Sequence, residues 1–172
     1  KDYKLDENGN FQVNEFYLPG DILGLEYLFK EKFQLNAFAL KETVACVIPF
    51  ELLKNSEEIP NLKDRFCRLL CDEIENYRSY AVQTNVKCRI VSFILNLIHR
   101  TNKREKWELT SKLYPRAVSI PMSYIDISNK IGISNATFSR ILKELIDKKL
   151  FEIGDNTIFN IDIKRLEKIL LK

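Results

Sequence analysis

The chain has 172 residues, of which 45% are hydrophobic and 30% are charged, a balance typical of a soluble globular domain. No apolar run reaches the roughly 18 residues of a membrane-spanning helix, so no membrane partner is predicted. The net charge of +3 conceals an asymmetry. Residues 85–172 contain 17 basic and 9 acidic side chains, whereas residues 1–84 contain 10 and 15. The basic second half favours an anionic partner.

The cysteines and the single histidine predict neither a zinc site nor an enzyme. Cys46, Cys67, Cys71 and Cys88 have no paired C-x-x-C spacing. Four free thiols fit a reducing, cytoplasmic location, and we expect them to be small buried side chains. We expect His99 to lie at the surface near a helix end. No nucleophile–base pair and no phosphate-cradling glycine loop is evident in the sequence.

Residues 1–50 show the alternation and turn signals of β-structure. The turn over residues 6–10 contains Asn-Gly, which suits a tight hairpin. Residues 18–21 read LPGD, a Pro-Gly turn, and residues 37–50 predict one or two further strands. Two to four such strands cannot bury a core alone, so we expect further strands upstream of Lys1.

Two long helices are predicted in the middle of the chain. Pro60 suits a first helical position, and no Pro or Gly follows before about Thr84. A second amphipathic helix is predicted from Val86 to Arg100, with a polar loop or strand edge over residues 101–109. The first helix carries an apolar seam with alternating spacings of three and four residues, which favours packing against a second copy of the chain: Cys67, Leu70, Ile74, Tyr77, Ala81 and Thr84.

The sequence from Ser123 onward predicts a helix-turn-helix. Ser123 with an acid three residues later is typical of a helix start, and a short helix over residues 124–130 follows. Gly132 supplies the turn, and Ser134 caps a second helix that runs to about Lys149. A hairpin over residues 151–161, or "wing", and a last helix over residues 162–171 complete the domain.

The second helix of this pair has an unusual polar face, with small hydrogen-bonding groups and one guanidinium where Glu and Lys are more usual. Hydroxyls and helix-start amides suit phosphate oxygens, arginine suits the O6/N7 pair of guanine, and asparagine can pair with adenine. In a helix-turn-helix this helix enters the major groove of DNA. An ordinary solvated face is the alternative. The residues that predict DNA contact are Ser134, Asn135, Thr137, Ser139 and Arg140, with Lys143 reaching phosphate.

These pieces, taken in order, resemble the Crp/Fnr family of bacterial transcription regulators over nearly the whole chain. The matching stretches are FYLPGDILG, ETVACVIPFELL, IPNLKDRFCRLLCDEIENY, RIVSFILNL and DISNKIGISNATFSRILKELIDKKLFEI. The resemblance implies an α+β fold. It implies part of a β-roll sensor domain, a cyclic-nucleotide-binding-like jelly roll, over residues 1–57. It implies a dimerisation helix over residues 58–86 and a winged helix over residues 87–172. Its partners would be double-stranded DNA, a second copy of the chain and RNA polymerase.

The resemblance also assigns roles to single residues. Ser123, Ser134 and Thr137 match positions that touch phosphate, whereas Asn135, Ala136, Ser139 and Arg140 match base-reading positions. Ala136 departs from the family, which usually has a glutamate there that accepts from cytosine N4. An alanine offers only a methyl group, so a half-site different from the usual one is predicted. Cys67, Leu70 and Ile74 match positions of the family's dimer seam.

The sensor segment lacks the groups that cyclic-nucleotide-binding relatives need. Those relatives place a glutamate directly after GD-x-x-G and an Arg-Ser pair further on to grip the cyclic phosphate. Here Leu25 follows Gly24, with Glu26 one place late, and the Arg-Ser positions hold Leu35 and Asn36. Without a cation the buried phosphate would be uncompensated, so cyclic AMP is not predicted.

The motifs PGDILG, ACVIPFELL and PNLKDRF resemble the Fnr branch, whose oxygen sensors hold a [4Fe–4S] cluster. Cys46 matches one ligand of that cluster, and the other three would lie upstream, so no cofactor is predicted for this chain alone. A cluster-free relative with Cys46 in a strand is the alternative. The predicted function is a dimeric, sequence-specific transcription regulator that responds to oxygen, redox state or another signal that is not a cyclic nucleotide. A small-molecule sensor whose helix-turn-helix mediates protein contacts is the second hypothesis.

Overall fold

The computed structural model describes residues 1–171, except 6, 8, 10, 28, 29, 31, 33–35, 50, 52–60, 82 and 106–116. Within these residues it contains two small antiparallel sheets and five α-helices, and the predicted α+β class is confirmed. None of the described helices combines the length and apolarity needed to cross a bilayer.

The first sheet is built from the beginning of the chain. Strands β1 (Asp2–Leu5) and β2 (Phe11–Glu15) form the predicted hairpin, and β3 (Asn36–Ala37) pairs with the other edge of β1. Part of the hairpin's turn lies outside the described residues. A single 3-10 turn, Leu25–Tyr27, follows the Pro-Gly turn.

The prediction of one or two strands over residues 37–50 is wrong beyond Ala37. Residues 38–49 adopt no regular structure, and Val44 is 99% exposed. An extended segment becomes a strand only when a neighbour takes its hydrogen bonds. The bond from the Phe38 N–H to the Lys1 carbonyl, at 2.8 Å, is the last of this kind next to the sheet.

Two long helices follow, α1 (Leu62–Ala81) and α2 (Val86–Glu105). The predicted start of α1 at Pro60 lies outside the described residues. Helix α2 is five residues longer than predicted, so residues 101–105 are helical and not a loop. The Thr101 hydroxyl donates to the Leu97 carbonyl one turn earlier at 2.8 Å, so this polar group is satisfied within the helix. His99 is exposed within this helix and does not cap it.

The remaining elements form the winged helix: the helix-turn-helix, the hairpin and the last helix follow in the predicted order, and one strand that the sequence did not predict, Ala117–Ser119, precedes them. They are β4 (Ala117–Ser119), α3 (Tyr124–Ile131), α4 (Asn135–Asp147), β5 (Glu152–Gly154), β6 (Thr157–Phe159) and α5 (Ile163–Leu170). Strand β6 lies between β4 and β5 in an antiparallel sheet. The β5–β6 turn is Asp155-Asn156, with φ of 48° and 55°, the left-handed pair that a two-residue hairpin requires.

Helix α4 ends at Asp147, two residues before its predicted end. Lys149 adopts a left-handed conformation with φ of 52°, and its N–H donates to the Ile146 carbonyl at 2.7 Å. The Leu150 N–H then reaches the Leu145 carbonyl at 3.2 Å. This is the Schellman arrangement, which terminates a helix and turns the chain toward the wing.

The buried core is centred on α2. Ile90, Val91, Ile94 and Ile98 lie between the other helices and the wing sheet, and each is at most 3% exposed. Phe16, directly after β2, joins the same core and packs edge-on against Phe93 at a centroid distance of 6.0 Å. The end of β2, in the predicted sensor segment, therefore shares apolar packing with the winged helix.

Candidate nucleic-acid interface

The turn between α3 and α4 has the geometry of a helix-turn-helix. Gly132 adopts φ of 73° and ψ of 45°, a left-handed conformation that suits glycine, and its N–H returns to the end of α3. The Ser123 hydroxyl accepts the Asp126 N–H at 3.1 Å, and the Ser134 hydroxyl accepts the Thr137 N–H at 3.1 Å. Both predicted N-caps are therefore confirmed as caps.

Arg89 supports this turn from the neighbouring helix α2, a role that the sequence did not predict. Its guanidinium donates to the Ile131 carbonyl, at the end of α3, at 3.0 Å. Arg89 is half-buried, and a guanidinium at a helix C-terminus satisfies an orphan carbonyl and complements the helix dipole. The core helix thus fixes where the second helix of the motif begins.

Helix α4 has one buried and one exposed face. Phe138, Ile141, Leu142 and Leu145 are at most 5% exposed, and Phe138 packs edge-on against Tyr124 of α3 at 5.5 Å. Thr137 is half-buried, and its hydroxyl lies 2.8 Å from that of Ser134. The exposed side chains between Ser134 and Lys143, which we call the polar face, are Ser134, Asn135, Ala136, Ser139, Arg140 and Lys143.

Glu144 would ordinarily pair with Arg140, which precedes it by one helical turn. Instead its carboxylate accepts from Lys148 at 2.6 Å and from Lys87, at the start of α2, at 2.8 Å. Within the described part of the chain, Arg140 and Lys143 form no ion pair. Because Glu144 pairs with these two lysines, the Arg140 guanidinium is available to an external anion.

The predicted DNA-contacting residues lie at the start of α3 and in the first turns of α4, and all of them except Thr137 are exposed. Ser123 is exposed at the start of α3, and the polar face lies along the first two turns of α4. A serine that caps through its oxygen still has a hydroxyl hydrogen to donate. The wing adds the exposed Asp155 and Asn156 at its tip. The role assigned to each of these side chains in binding stays a prediction.

The predicted dimer seam lies partly on an exposed face of α1. Leu70 is 37% exposed and Ile74 is 53% exposed. Phe66 and Leu69 are half-buried. The side chains of Tyr77 and Ala81 lie outside the described parts of α1. Apolar side chains at helical spacing on an open face are typical of an interface.

The prediction that the cysteines are buried is wrong for three of them. Cys46, Cys67 and Cys71 are exposed, and Cys88 is half-buried with its thiol 3.6 Å from the Ile169 carbonyl. Cys67 and Cys71 lie on the side of α1 that the chain's own core does not cover. Cys46 lies in the irregular segment after β3 and not in a strand.

The residues present do not fit an iron–sulfur cluster on their own. Such a cluster is held by four thiolates. The described residues contain no group of three or more His, Cys, Asp or Glu side chains that could hold a metal. Cys46 would supply one thiolate of the four.

The positions that grip a cyclic nucleotide in relatives have a different chemistry here. Leu25 is 5% exposed and packs in the interior, so it presents no oxygen to a ribose hydroxyl. Asn36 is exposed in β3 and carries no charge. Leu35 lies outside the described residues. The absence of cyclic AMP binding stays a prediction.

The match to a family model covers the winged helix. Residues 88–169 match the Crp-like helix-turn-helix domain, and this part of the chain belongs to that family. The predicted resemblance to Crp/Fnr regulators is thereby confirmed.

Two relatives of known name extend the similarity to the sensor segment. The chain is 31% identical over 149 residues to the anaerobic regulatory protein of Pasteurella multocida (strain Pm70), covering 84% of the chain and 52% of that protein. It is 32% identical over 146 residues to the fumarate and nitrate reduction regulatory protein of Escherichia coli (strain K12), covering 83% and 56%. The chain thus spans about half the length of these relatives, which are named as regulators and not as enzymes.

Solved structures show the same fold. FixK2 from Bradyrhizobium japonicum matches with a TM-score of 0.67 at 20% identity, over 97% of the chain and 80% of FixK2. A CRP-family transcriptional regulator from Thermus thermophilus matches with a TM-score of 0.66 at 19% identity, over 99% and 83%. At this identity the likeness concerns the arrangement of the elements.

We predict that the Glu144 cluster makes the stability of the winged helix depend on pH. Hydrogen bonds from Lys148 and Lys87 lower the pKa of Glu144 from 4.5 to about 2, and the bond to Glu144 raises the pKa of Lys148. The carboxyl pKa of Glu144 is lower in the folded state than in the unfolded state, so its ionisation stabilises the folded state above pH 4.5. This contribution is lost as the pH falls to about 2 and the carboxylate is protonated.

Urea unfolding of the wild type and of Glu144→Gln tests this cluster. The wild type should be the more stable at pH 7, and the difference should narrow as the pH falls from 4.5 toward 2. Because the carboxylate is 40% exposed, high salt should also reduce the difference at pH 7. A difference that stays constant with pH would contradict the assignment.

Proposed function

We propose that the chain is the DNA-binding part of a Crp/Fnr-type transcription regulator that binds a specific DNA sequence. The observation that supports this most directly is the polar face of α4. It presents hydroxyls, an amide and a guanidinium that is not paired within the described residues, on a helix fixed by its opposite apolar face. A regulator of this kind acts on promoter DNA with RNA polymerase, in the cytoplasm.

The side chains of the helix-turn-helix fall into two groups, one suited to phosphate oxygens and one suited to base edges. The Ser123 and Ser134 hydroxyls lie at two helix N-termini, where hydroxyl donors and backbone N–H groups suit phosphate oxygens. Asn135, Ser139 and Arg140 have the functional groups for base edges, and Lys143 suits phosphate. Ala136 offers a methyl contact only, so it can favour a thymine but cannot accept from cytosine N4.

Arg140→Ala should remove one specific base contact. We expect a cost of about 1–3 kcal/mol per half-site and a loss of preference at one base pair, because a bidentate arginine distinguishes guanine from other bases. The measurement is fluorescence anisotropy on a sequence selected from a random duplex library, with every base of the half-site varied in turn. Lys143→Gln is the matched control, and it should weaken all sequences equally and reduce the salt dependence of binding by about one counterion.

The outcome that would contradict this assignment is a uniform loss for Arg140→Ala across all sequences. Failure of the wild type to retain any DNA at low salt would contradict the proposed function itself. It would favour the second hypothesis, in which the helix-turn-helix serves protein contacts.

We further propose that the regulator works as a homodimer through the exposed seam of α1. Leu70 and Ile74 leave apolar area in water that a second copy of α1 would cover. Cys67 lies on the same seam one turn before, and Tyr77 and Ala81 continue the spacing in the sequence. Two copies related by a two-fold axis would place two α4 helices in successive major grooves, about one DNA turn apart.

Ile74→Lys should convert the dimer to a monomer at micromolar concentration, because each copy would place an ammonium group in an apolar seam. Sedimentation equilibrium measures the mass directly. Glu75→Lys introduces the same side chain one residue away, off the seam, and should leave the mass unchanged. A wild-type monomer, or an Ile74→Lys dimer, would contradict the proposed seam.

We propose that the signal is not a cyclic nucleotide, because Leu25 offers no acceptor to a ribose hydroxyl and Leu35 offers no charge to a cyclic phosphate. The names of the chain's relatives refer to anaerobic regulation and to fumarate and nitrate reduction, and they support control by oxygen or redox state.

Cyclic AMP should therefore leave the thermal midpoint of the purified protein unchanged. A ligand present at about 100 times its Kd would add about 2.7 kcal/mol to the free energy of unfolding, which a melting curve detects readily. Linear AMP at equal concentration controls for weak nucleotide effects. A midpoint that rises and saturates with cyclic AMP alone would overturn this part of the proposal.

A further inference from the structure

We propose that four charged side chains form a clamp that sets the position of the DNA-reading helix relative to the sensor segment. The clamp consists of Glu15 and Asp21 from the sensor segment and Arg100 and Lys130 from the winged helix. The consequence that we infer from the clamp rests on the proposed function, because it concerns the binding of a dimer to two DNA half-sites.

Arg100 is the centre of the clamp. Its Nη2 donates to the Asp21 carboxylate at 2.6 Å and to the Phe16 carbonyl at 3.0 Å, and its Nη1 lies 3.6 Å from the Glu15 carboxylate. The side chain is 18% exposed, as is that of Asp21. A guanidinium with several fixed acceptors, largely removed from water, holds its partners in one orientation.

Lys130 closes the clamp from the first helix of the helix-turn-helix. Its ammonium pairs with the Glu15 carboxylate at 2.8 Å and donates to the Asn14 carbonyl, and its side chain is only 6% exposed. Glu15 thus faces two cations of the winged helix, one from α2 and one from α3. If the sensor segment shifted relative to α3, the buried ammonium would lose these acceptors at a large cost in free energy. The contact therefore opposes such a shift.

The strand that carries Glu15 is itself held rigid. The buried Asp2 carboxylate accepts the Glu15 N–H at 2.7 Å and the Asn14 side-chain amide at 3.2 Å. Phe16, the next residue, is 2% exposed and packs against Phe93. An apolar anchor and an ionic clamp therefore act at adjacent residues, at the end of β2 and directly after it.

Asp21 connects the clamp to the sensor's Pro-Gly turn. The same carboxylate oxygen that accepts from Arg100 also accepts the Leu18 N–H at 2.6 Å. A change in the shape of this turn would therefore alter the Arg100 contact. The turn and the position of the winged helix share one acceptor atom, and this makes Arg100 and Asp21 positioning residues for DNA reading.

The consequence concerns the distance between two half-sites. The sensor segment precedes α1, the proposed dimer helix, and the clamp joins that segment to α2 and α3. In a dimer it would limit the separations that the two α4 helices can adopt. We infer that the clamp sets which half-site spacing binds best, a property that base contacts do not determine.

The test is Arg100→Gln in the purified protein, measured in two ways. The first is hydrogen exchange without DNA, in which the amides of residues 11–21 and 124–131 should exchange faster while those of the wing, residues 152–159, stay unchanged. The second is binding to inverted repeats of the selected half-site with spacers of different length. The wild type should bind one spacer length more tightly than the others. In Arg100→Gln the ratio of affinities between that spacer and the others should fall about tenfold, while the affinity for a single half-site is retained.

Two further variants separate positioning from folding. Arg165→Gln removes another arginine of the winged helix, whose pair with Asp162 and bond to the Lys148 carbonyl stay inside that domain, and it should alter neither measurement. Arg100→Lys keeps one contact to Asp21 and should recover part of the spacing preference.

Unchanged exchange in residues 11–21 and 124–131 would overturn the clamp, and so would an equal loss of affinity on single half-sites and on all spacers. A wild type that binds no DNA would overturn the proposed function, and the exchange measurement would still decide whether the clamp exists.

Discussion

The arrangement of the winged helix depends on the burial of one apolar stripe on α4. Phe138, Ile141, Leu142 and Leu145 pack into the core around α2, and their removal from water fixes the rotation of the helix about its axis. Because the buried stripe occupies one side, the small polar side chains must lie on the other. The orientation of the polar face is therefore a consequence of packing and requires no contact of its own.

Electrostatic pairing then determines which charges remain available. Glu144 lies one turn after Arg140, yet Lys87 and Lys148 take its carboxylate. The same principle applies to Arg100 and Lys130, which pair with the carboxylates of Asp21 and Glu15. Cations of the winged helix thus separate into a set used for internal positioning and a set left open to an anion.

Local signals explain why the helix-turn-helix was predictable. Ser123, Gly132 and Ser134 act within a few residues of their own position, through caps and a left-handed turn, so their effect can be read without knowledge of the fold. The strand prediction for residues 38–49 failed for the opposite reason. A strand exists only if another strand meets it, and alternation in one segment carries no information about that neighbour.

The helices, the turn and the polar residues of the helix-turn-helix were predictable from the residues alone, because propensity, capping and periodicity act at short range. The exposure of three cysteines and the contact between Arg89 and the turn became apparent from the folded chain. The tertiary structure also brings Arg100 to Asp21 across 79 residues of chain. Such contacts depend on how whole elements dock, and the docking is set by the shared core rather than by any single stretch of residues.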